Sequence, residues 1–299
     1  MFFKKTPKEI GLYYYKCANL GDILNETLIE NLFNINVKEE SFTQSDMIAI
    51  GSVLERIVKG SITGKHDKEL QEKANKTKPI YVWGTGMMHG YEDYSQMEFV
   101  RPVKIKALRG ELSRKAAEKI TGKKINCAVG DPGILAPFML KKLPPKKYAL
   151  GIIPHVVEKD MPEYVAIKNR VENSVIIDLT GEPQKVLEQI ASCECVISTS
   201  LHGLIIADGF NIPSKWCKMT DKILGNGYKY KDYYSAYGIT ENAFDLSGGD
   251  FPKIEEIKSN YKIKKEDVKN IQINLIKSFP YQNKYTRQLL KSLKHKSNF

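Results

Sequence analysis

Residues 195–219, CVISTSLHGLIIADGFNIPSKWCKM, decide the fold. An apolar run at 195–198 gives way to three hydroxyl residues, Ser198, Thr199 and Ser200. An apolar stretch of helical length follows (200–210), and NIP halts it before a second β-rich run at 212–219. Strand, helix and strand with nearly continuous apolar strands is the pattern of a parallel sheet covered on both faces.

The same alternation extends upstream. YALGIIPH (148–155) and SVIIDLT (174–180) read as strands, and 161–170 and 182–192 as helices. In the first half, strands fall at 10–15, 47–51, 79–86 and 104–110. Helices fall at 22–33, with Asp22 as N-cap or first-turn acid, and at 111–122, stopped by Gly122. NCAVGDPGILA (126–136) adds a strand and a turn. Between the halves, KKLPPKK (141–147) has the prolines and lysines of an exposed linker. The chain is therefore predicted to form two doubly wound, Rossmann-like α/β domains, 1–143 and 148–250. A basic helical tail follows at 251–299, with one helix at 265–278 ended by Pro280.

Composition narrows the class. With 299 residues, 42% of them hydrophobic, the chain buries a sizeable core. No apolar run approaches the ~18 residues of a membrane span. MFFKKTPKEIG lacks the apolar run of a secretory leader, and five cysteines make an odd, unframed set. Both point to the cytoplasm. Cys193 and Cys195 have no second pair to complete a zinc set, so no metal is expected. Of the net charge of +11, +8 lies in 251–299, where twelve Lys/Arg face four Asp/Glu. Such a tail meets an anionic membrane face, an anionic substrate or nucleic acid, or is a solvated helix rich in lysine.

Ligands of open α/β sheets bind at the carboxyl ends of strands. That rule selects the loops 17–22, 84–90, 109–110, 130–133, 154–155 and 198–203. His202 sits in the first turn of a helix that follows a buried strand. Free N–H groups and the positive dipole end converge there, and three hydroxyls add donors, a set suited to phosphate or carboxylate. Gly203 is expected to allow close backbone approach. Arg109 ends a strand and has the fork that grips a carboxylate or phosphate, and His155 ends another. Asn19 and Asp22 flank Gly21, Gly84 and Thr85 fall in GTG (84–86), and Lys229 and Asp232 in an aromatic-rich loop suited to a sugar ring. His89 is read as a minor candidate.

These loops together resemble the polysaccharide pyruvyl transferases. The resemblance rests on NLGDILN, ALRGELSRK with GDPGIL, GIIPH, ISTSLHGLIIADGFNIP and GNGYKYKDYYSAYG, in family order from about residue 10 to 240. It implies transfer of the enolpyruvyl unit of phosphoenolpyruvate to two sugar hydroxyls, giving a cyclic ketal. It also implies the two-domain fold of B-type glycosyltransferases, with a C-terminal helix crossing back to the first domain. The implied catalytic residues are His202, Arg109 and His155. The donor-binding set is Ser198, Thr199, Ser200, Leu201, Gly203 and Lys229, and the acceptor side is Asn19, Asp22, Gly84 and Thr85. Some members carry an arginine where this chain has Ser200. The resemblance requires no cofactor beyond the donor substrate. The resemblance also implies as acceptor a glycan of capsule, exopolysaccharide or cell wall, with a lipid-diphosphate carrier at the cytoplasmic membrane face as one form of it, and no nucleic acid. A glycosyltransferase using a nucleotide sugar, or a non-catalytic sugar-binding subunit, stays open as an alternative.

Overall fold

A computed structural model describes residues 6–15 and 19–295, with only the backbone described at 294 and 295. Residues 1–5 of the N-terminal stretch, Cys17 with its two neighbours, and the last four residues of the basic tail lie outside that range.

The chain runs β1 (Glu9–Tyr13), α1 (Leu20–Phe33), β2 (Asn36–Glu39), β3 (Met47–Ile48), β4 (Val58–Lys59), α2 (Ile62–Lys65), α3 (Lys68–Glu72), β5 (Ile80–Trp83), β6 (Glu98–Phe99), β7 (Val103–Leu108), α4 (Glu111–Thr121) and β8 (Ala128–Val129). After a 3-10 segment, Pro132–Met139, come β9 (Tyr148–Ile153), α5 (Pro162–Arg170), β10 (Ser174–Ile176), α6 (Pro183–Ala191), β11 (Cys193–Ser198), α7 (Leu201–Gly209), β12 (Ser214–Lys218), α8 (Tyr228–Ser235), β13 (Phe244–Asp245), α9 (Ile254–Ser259), α10 (Lys265–Ser278) and α11 (Lys284–His295). One sheet has the order β2-β1-β3-β5-β7-β8 and the other β10-β9-β11-β12-β13, with parallel pairing in both. A small antiparallel pair, β4 with β6, stands apart. The strand order jumps that the alternating sequence requires are met by helices crossing over the sheets.

α1 begins two residues earlier than its apolar spacing suggested. Asn19 takes the N-cap position without a side-chain cap bond, and Asp22 falls in the first turn. α7 is apolar all round because it is covered all round. It packs on β11 and β12 on one side and on Pro132–Met139 of the first half on the other. One continuous core therefore crosses between the halves, from Leu24 and Leu28 through Ile134 to Leu204 and Ile205.

The segment 251–299 is not a separate unit. α9 packs on the second sheet, whereas α10 packs on β7 and β8 of the first, and α11 on α1. Trp83 Nε1 donates to the Leu275 carbonyl at 3.0 Å, and Asn283 Nδ2 to the Phe33 carbonyl at 2.8 Å. Phe279 stacks on Phe33, with ring centroids 3.8 Å apart, and meets Trp83 edge-on at 4.9 Å. Cys193, Cys195 and Cys217 are buried thiols, each held above the usual range chiefly by burial.

Phe279→Ala empties the centre of this aromatic cluster. Removing a buried Phe costs about 3–5 kcal/mol, so the unfolding free energy from urea titration should fall by that amount and the midpoint with it. An unchanged midpoint would show that α10 does not fasten the two halves.

Candidate active site

The loops at the carboxyl ends of both sheets meet around His202, whose side chain is 11% exposed. The ring is walled in by two backbones. A methyl group built on Gly21 would sit 1.9 Å from its Nδ1, and one on Gly133 would sit 3.8 Å from its Cδ2. Gly21 is thus the residue that lets the start of α1 reach the ring. The same helix start is tied to the second half, because the Leu20 N–H donates to the Leu179 carbonyl at 2.7 Å.

The three hydroxyls before His202 divide their work. Ser198 Oγ donates to the Ile153 carbonyl and accepts the Ser200 N–H at 3.0 Å. Thr199 Oγ1 accepts the His155 N–H at 2.9 Å and meets the Tyr164 hydroxyl at 3.1 Å. These two build the loop. Only Ser200 Oγ has no hydrogen-bond partner among the described residues, and it does not cap its own helix. The expected role of Gly203 is corrected: a Cβ there would strike Ser198 Oγ and Ile153, so the glycine seats the helix on its strand and opens no path to a ligand. Leu201 is core.

Lys229 joins this group from an unexpected element. The stretch read as a loop is the helix α8, which starts after Gly227 in the left-handed region. Its tyrosines at 230, 233 and 234 recur at helical spacing and are buried. Lys229 is 8% exposed, and its ammonium has no hydrogen-bond or ion-pair partner among the described residues. Burial and then the Arg109 charge bring it down to about 8, against the pull of Asp22 and Glu158. Burial and then Lys229, Arg109 and His155 push His202 down to about 3. His155 is lowered to about 4 by burial and then Lys229. Its Nδ1 accepts the Val157 N–H at 3.3 Å, which leaves the proton on Nε2. Two neutral imidazoles thus lie around a buried cation. Each disfavours charge on the others, and a nearby anion would oppose these shifts.

Arg109 is placed differently from its expected role as an anion ligand. It is fully buried, with Nε and Nη2 on Asp232 at 2.9 Å, Nη1 on Ser52 and Nη2 on the Met87 carbonyl. The guanidinium is a structural brace behind the site. Gly84 and Thr85 are likewise framework. A Cβ on Gly84 would strike Pro132, and the fully buried Thr85 hydroxyl donates to the Gly51 carbonyl and accepts the Val53 N–H. Asn19 does reach the site region through the start of α1, and its Oδ1 is buried without a hydrogen bond. Asp22 on the same turn bears on Lys229.

The reading of sequence missed three carboxylates. Asp131, after β8, sets its Oδ2 4.0 Å from His202 Nε2. Glu158 accepts from Tyr164 and Thr220 and supports the His155 loop. Glu55, fully buried, accepts the N–H groups of Met88 and His89 and the His89 ring at 3.0 Å, which makes His89 a loop fastener. Asp131 falls in the 130–133 loop already selected as a strand end, but its partner His202 is distant in sequence, as are Met88 and His89 from Glu55 and Thr220 from Glu158.

The ends of two parallel sheets thus gather a buried lysine, two imidazoles and the start of α7 in an α/β protein. Residues 3–214 match the family model described as polysaccharide pyruvyl transferase. The chain belongs to that family. It is 26% identical over 250 residues to the uncharacterized protein L143 of Acanthamoeba polyphaga mimivirus, covering 82% of this chain and 80% of that one. It is also 26% identical over 235 residues to the succinoglycan biosynthesis protein ExoV of Rhizobium meliloti (strain 1021). That match covers 76% of this chain and 65% of the relative.

Two predictions follow from this geometry. Arg109→Met leaves the Asp232 carboxylate buried without its cation, at a cost of about 3–5 kcal/mol. The loss is read as a fall in unfolding free energy, and a stable variant would return Arg109 to the ligand set. Both histidines have folded-state values below the ordinary imidazole range, so protons favour the unfolded chain. Their contribution is present above about pH 6.5 and is lost as pH falls toward 4 and 3. His155→Gln should flatten the acid limb of a stability–pH curve; an unchanged limb would contradict the burial of a neutral ring.

Proposed function

We propose that the protein moves the enolpyruvyl unit of phosphoenolpyruvate onto two hydroxyls of a sugar during polysaccharide biosynthesis. The product is a pyruvate ketal, and inorganic phosphate leaves. The observation that carries this reading is Lys229, a buried ammonium without an ion-pair partner among the described residues, whose charge bears on the two neutral imidazoles of His202 and His155. The donor has a phosphate and a carboxylate on adjacent atoms, and a pocket of this kind supplies positive charge and N–H donors to both. Two parallel sheets with α10 returning to the first support the reading of a B-type glycosyltransferase layout, with the two substrates held between the halves.

In this scheme Lys229 and the first N–H groups of α7 hold the phosphate. His155 donates from Nε2 to the anion. His202, once charged by the donor's arrival, is the acid. A proton adds to the methylene carbon, and C2 takes oxocarbenium character. The first sugar hydroxyl bonds to C2, and the second displaces phosphate. Of the two hydroxyl protons, one replaces that spent on the new methyl group and the other leaves with phosphate. Asn19 Oδ1 and Asp22, at the opening of α1, stand on the acceptor side.

The test incubates the full chain with phosphoenolpyruvate and lipid-linked sugars. Phosphate release should match the mass gain of one ketal on the sugar. His202→Ala should lower kcat on the order of 10²–10⁴-fold. Lys229→Met should raise the donor KM on the order of 10–100-fold, the worth of one charged contact. Turnover of a nucleotide sugar instead, or sugar binding without turnover, would overturn the reading.

A peripheral membrane contact is also proposed, made by charge alone. The apolar side of α11 already rests on the core through Leu289, Leu290 and Leu293, while Lys284 and Lys291 are exposed. No helix among the described residues is long and apolar enough to cross a membrane. The chain should sediment with phosphatidylglycerol vesicles at low salt and be released at high salt. Equal recovery in the supernatant with anionic and neutral vesicles would refute the contact.

A further inference from the structure

The scheme above leaves Asp131 unused. This carboxyl is fully buried at the end of β8, in GDPG (130–133). Its Oδ1 accepts the Gly133 N–H at 2.9 Å. Among the described residues its Oδ2 is buried with no hydrogen-bond partner, and so is His202 Nε2, 4.0 Å away. Two buried polar atoms of complementary chemistry thus face each other across a gap too long for a hydrogen bond.

An isolated charge on either group would be costly in so enclosed a place. Two arrangements leave the pair without net charge. In one, Asp131 is a carboxylic acid and His202 is neutral. In the other, Asp131 is a carboxylate and His202 an imidazolium. The surroundings decide between them. Lys229, Arg109 and His155 oppose positive charge on His202. Burial, and then Asp232, oppose negative charge on Asp131, while the N–H groups of Gly133 and Gly51 and the charge of Arg109 act the other way. The balance raises Asp131 to about 7. Tyr237 also lies within electrostatic reach of this carboxyl.

We propose that Asp131 and His202 form one proton-sharing pair, with the proton on Asp131 Oδ2 in the empty site and on His202 Nε2 once an anion docks at the start of α7. The Asp131 side chain closes the 4.0 Å gap to hydrogen-bond distance, the Oδ2–H bond breaks, the Nε2–H bond forms, and the pair's net charge does not change. The anion supplies the negative potential that the imidazolium lacks in the empty site. Asp131 is then a positioning residue that loads the acid, and the acid is formed only when the donor is present. The inference rests on the donor-site reading given above for the identity of the anion, but its resting state is independent of it.

The test is NMR of the full chain with labelled Asp carboxyls and His rings. In the ligand-free protein the Asp131 carboxyl should titrate near pH 7, and His202 should stay neutral down to about pH 5. Bound phosphoenolpyruvate, detected by calorimetry, should turn the His202 ring into imidazolium at about pH 6.5 in the wild type and not in Asp131→Asn. Asp131→Asn should also lower kcat on the order of 10–100-fold with the donor KM held. An ionised Asp131 throughout pH 5–8 in the free protein overturns the pair, as does an imidazolium that forms equally in the variant. If phosphoenolpyruvate does not bind, the donor reading fails, and inorganic phosphate serves as the anion. Bound phosphate with a neutral His202 then overturns the pair, and an imidazolium sustains it.

Discussion

A buried ion pair between Arg109 and Asp232 joins the two halves, and the site depends on it. Desolvating two such charges costs several kcal/mol each, and only full hydrogen bonding offsets this. Asp232 receives Nε and Nη2 of Arg109 together with the N–H and hydroxyl of Ser113. Arg109 also grips Ser52 and the Met87 carbonyl. One pair therefore fastens the end of β7, the start of α4, the 84–90 turn and α8. Gly110 lets the start of α4 meet α8, since a Cβ there would lie 1.7 Å from the Asp232 carbonyl oxygen. A buried pair of this kind contributes more to register than to stability. Here the register is that of α8, which carries Lys229 three residues before Asp232.

That register explains the electrostatics of the cleft. Lys229 has no carboxylate within ion-pairing distance, and Asp22 and Glu158 act on it only from further away. The charge of Arg109 is screened by Asp232 but still bears on His202. The site therefore carries positive potential without a bound proton on either imidazole. A helix start alone would supply a weak version of this potential. The buried lysine strengthens it, and low local polarizability makes it felt over several ångströms.

Much of this was legible in the sequence, for local reasons. The β-rich runs and the apolar helix 200–210 gave the sheets, and the spacing of Val268, Ile271, Leu275 and Ile276 gave α10 with the observed bounds. The helix starts that lie on the cleft, Asn19 and His202, were visible as strand-end loops. What failed was long-range. α8 read as a loop because tyrosine and lysine mask its apolar face, yet tyrosine bodies bury as readily as leucine when their hydroxyls find partners. Tyr233 does so on Asp208 at 2.7 Å and Tyr230 on the Thr199 carbonyl. Arg109 resembled a ligand because its partner Asp232 lies in the other half. Asp131 lay in the 130–133 loop without being singled out; it caps Gly133, and its other oxygen lies 4.0 Å from a ring contributed by α7.

The enclosure of α7 has a further consequence. Its sides are committed to β11, β12 and the Pro132–Met139 segment, so a ligand meets it only at its start. There the walls are backbone, with Gly21 against one edge of the His202 ring and Gly133 near another. Neither wall has a side chain that moves aside. Gating of His202 must therefore come from its charge state or from rigid displacement of α1. α1 is itself anchored at both ends, by the Leu20 N–H on Leu179 and by Asn283 on the Phe33 carbonyl. With the helix pinned, protonation is the remaining way for the ring to respond to an anion, and a buried carboxyl beside it is the nearest source of that proton.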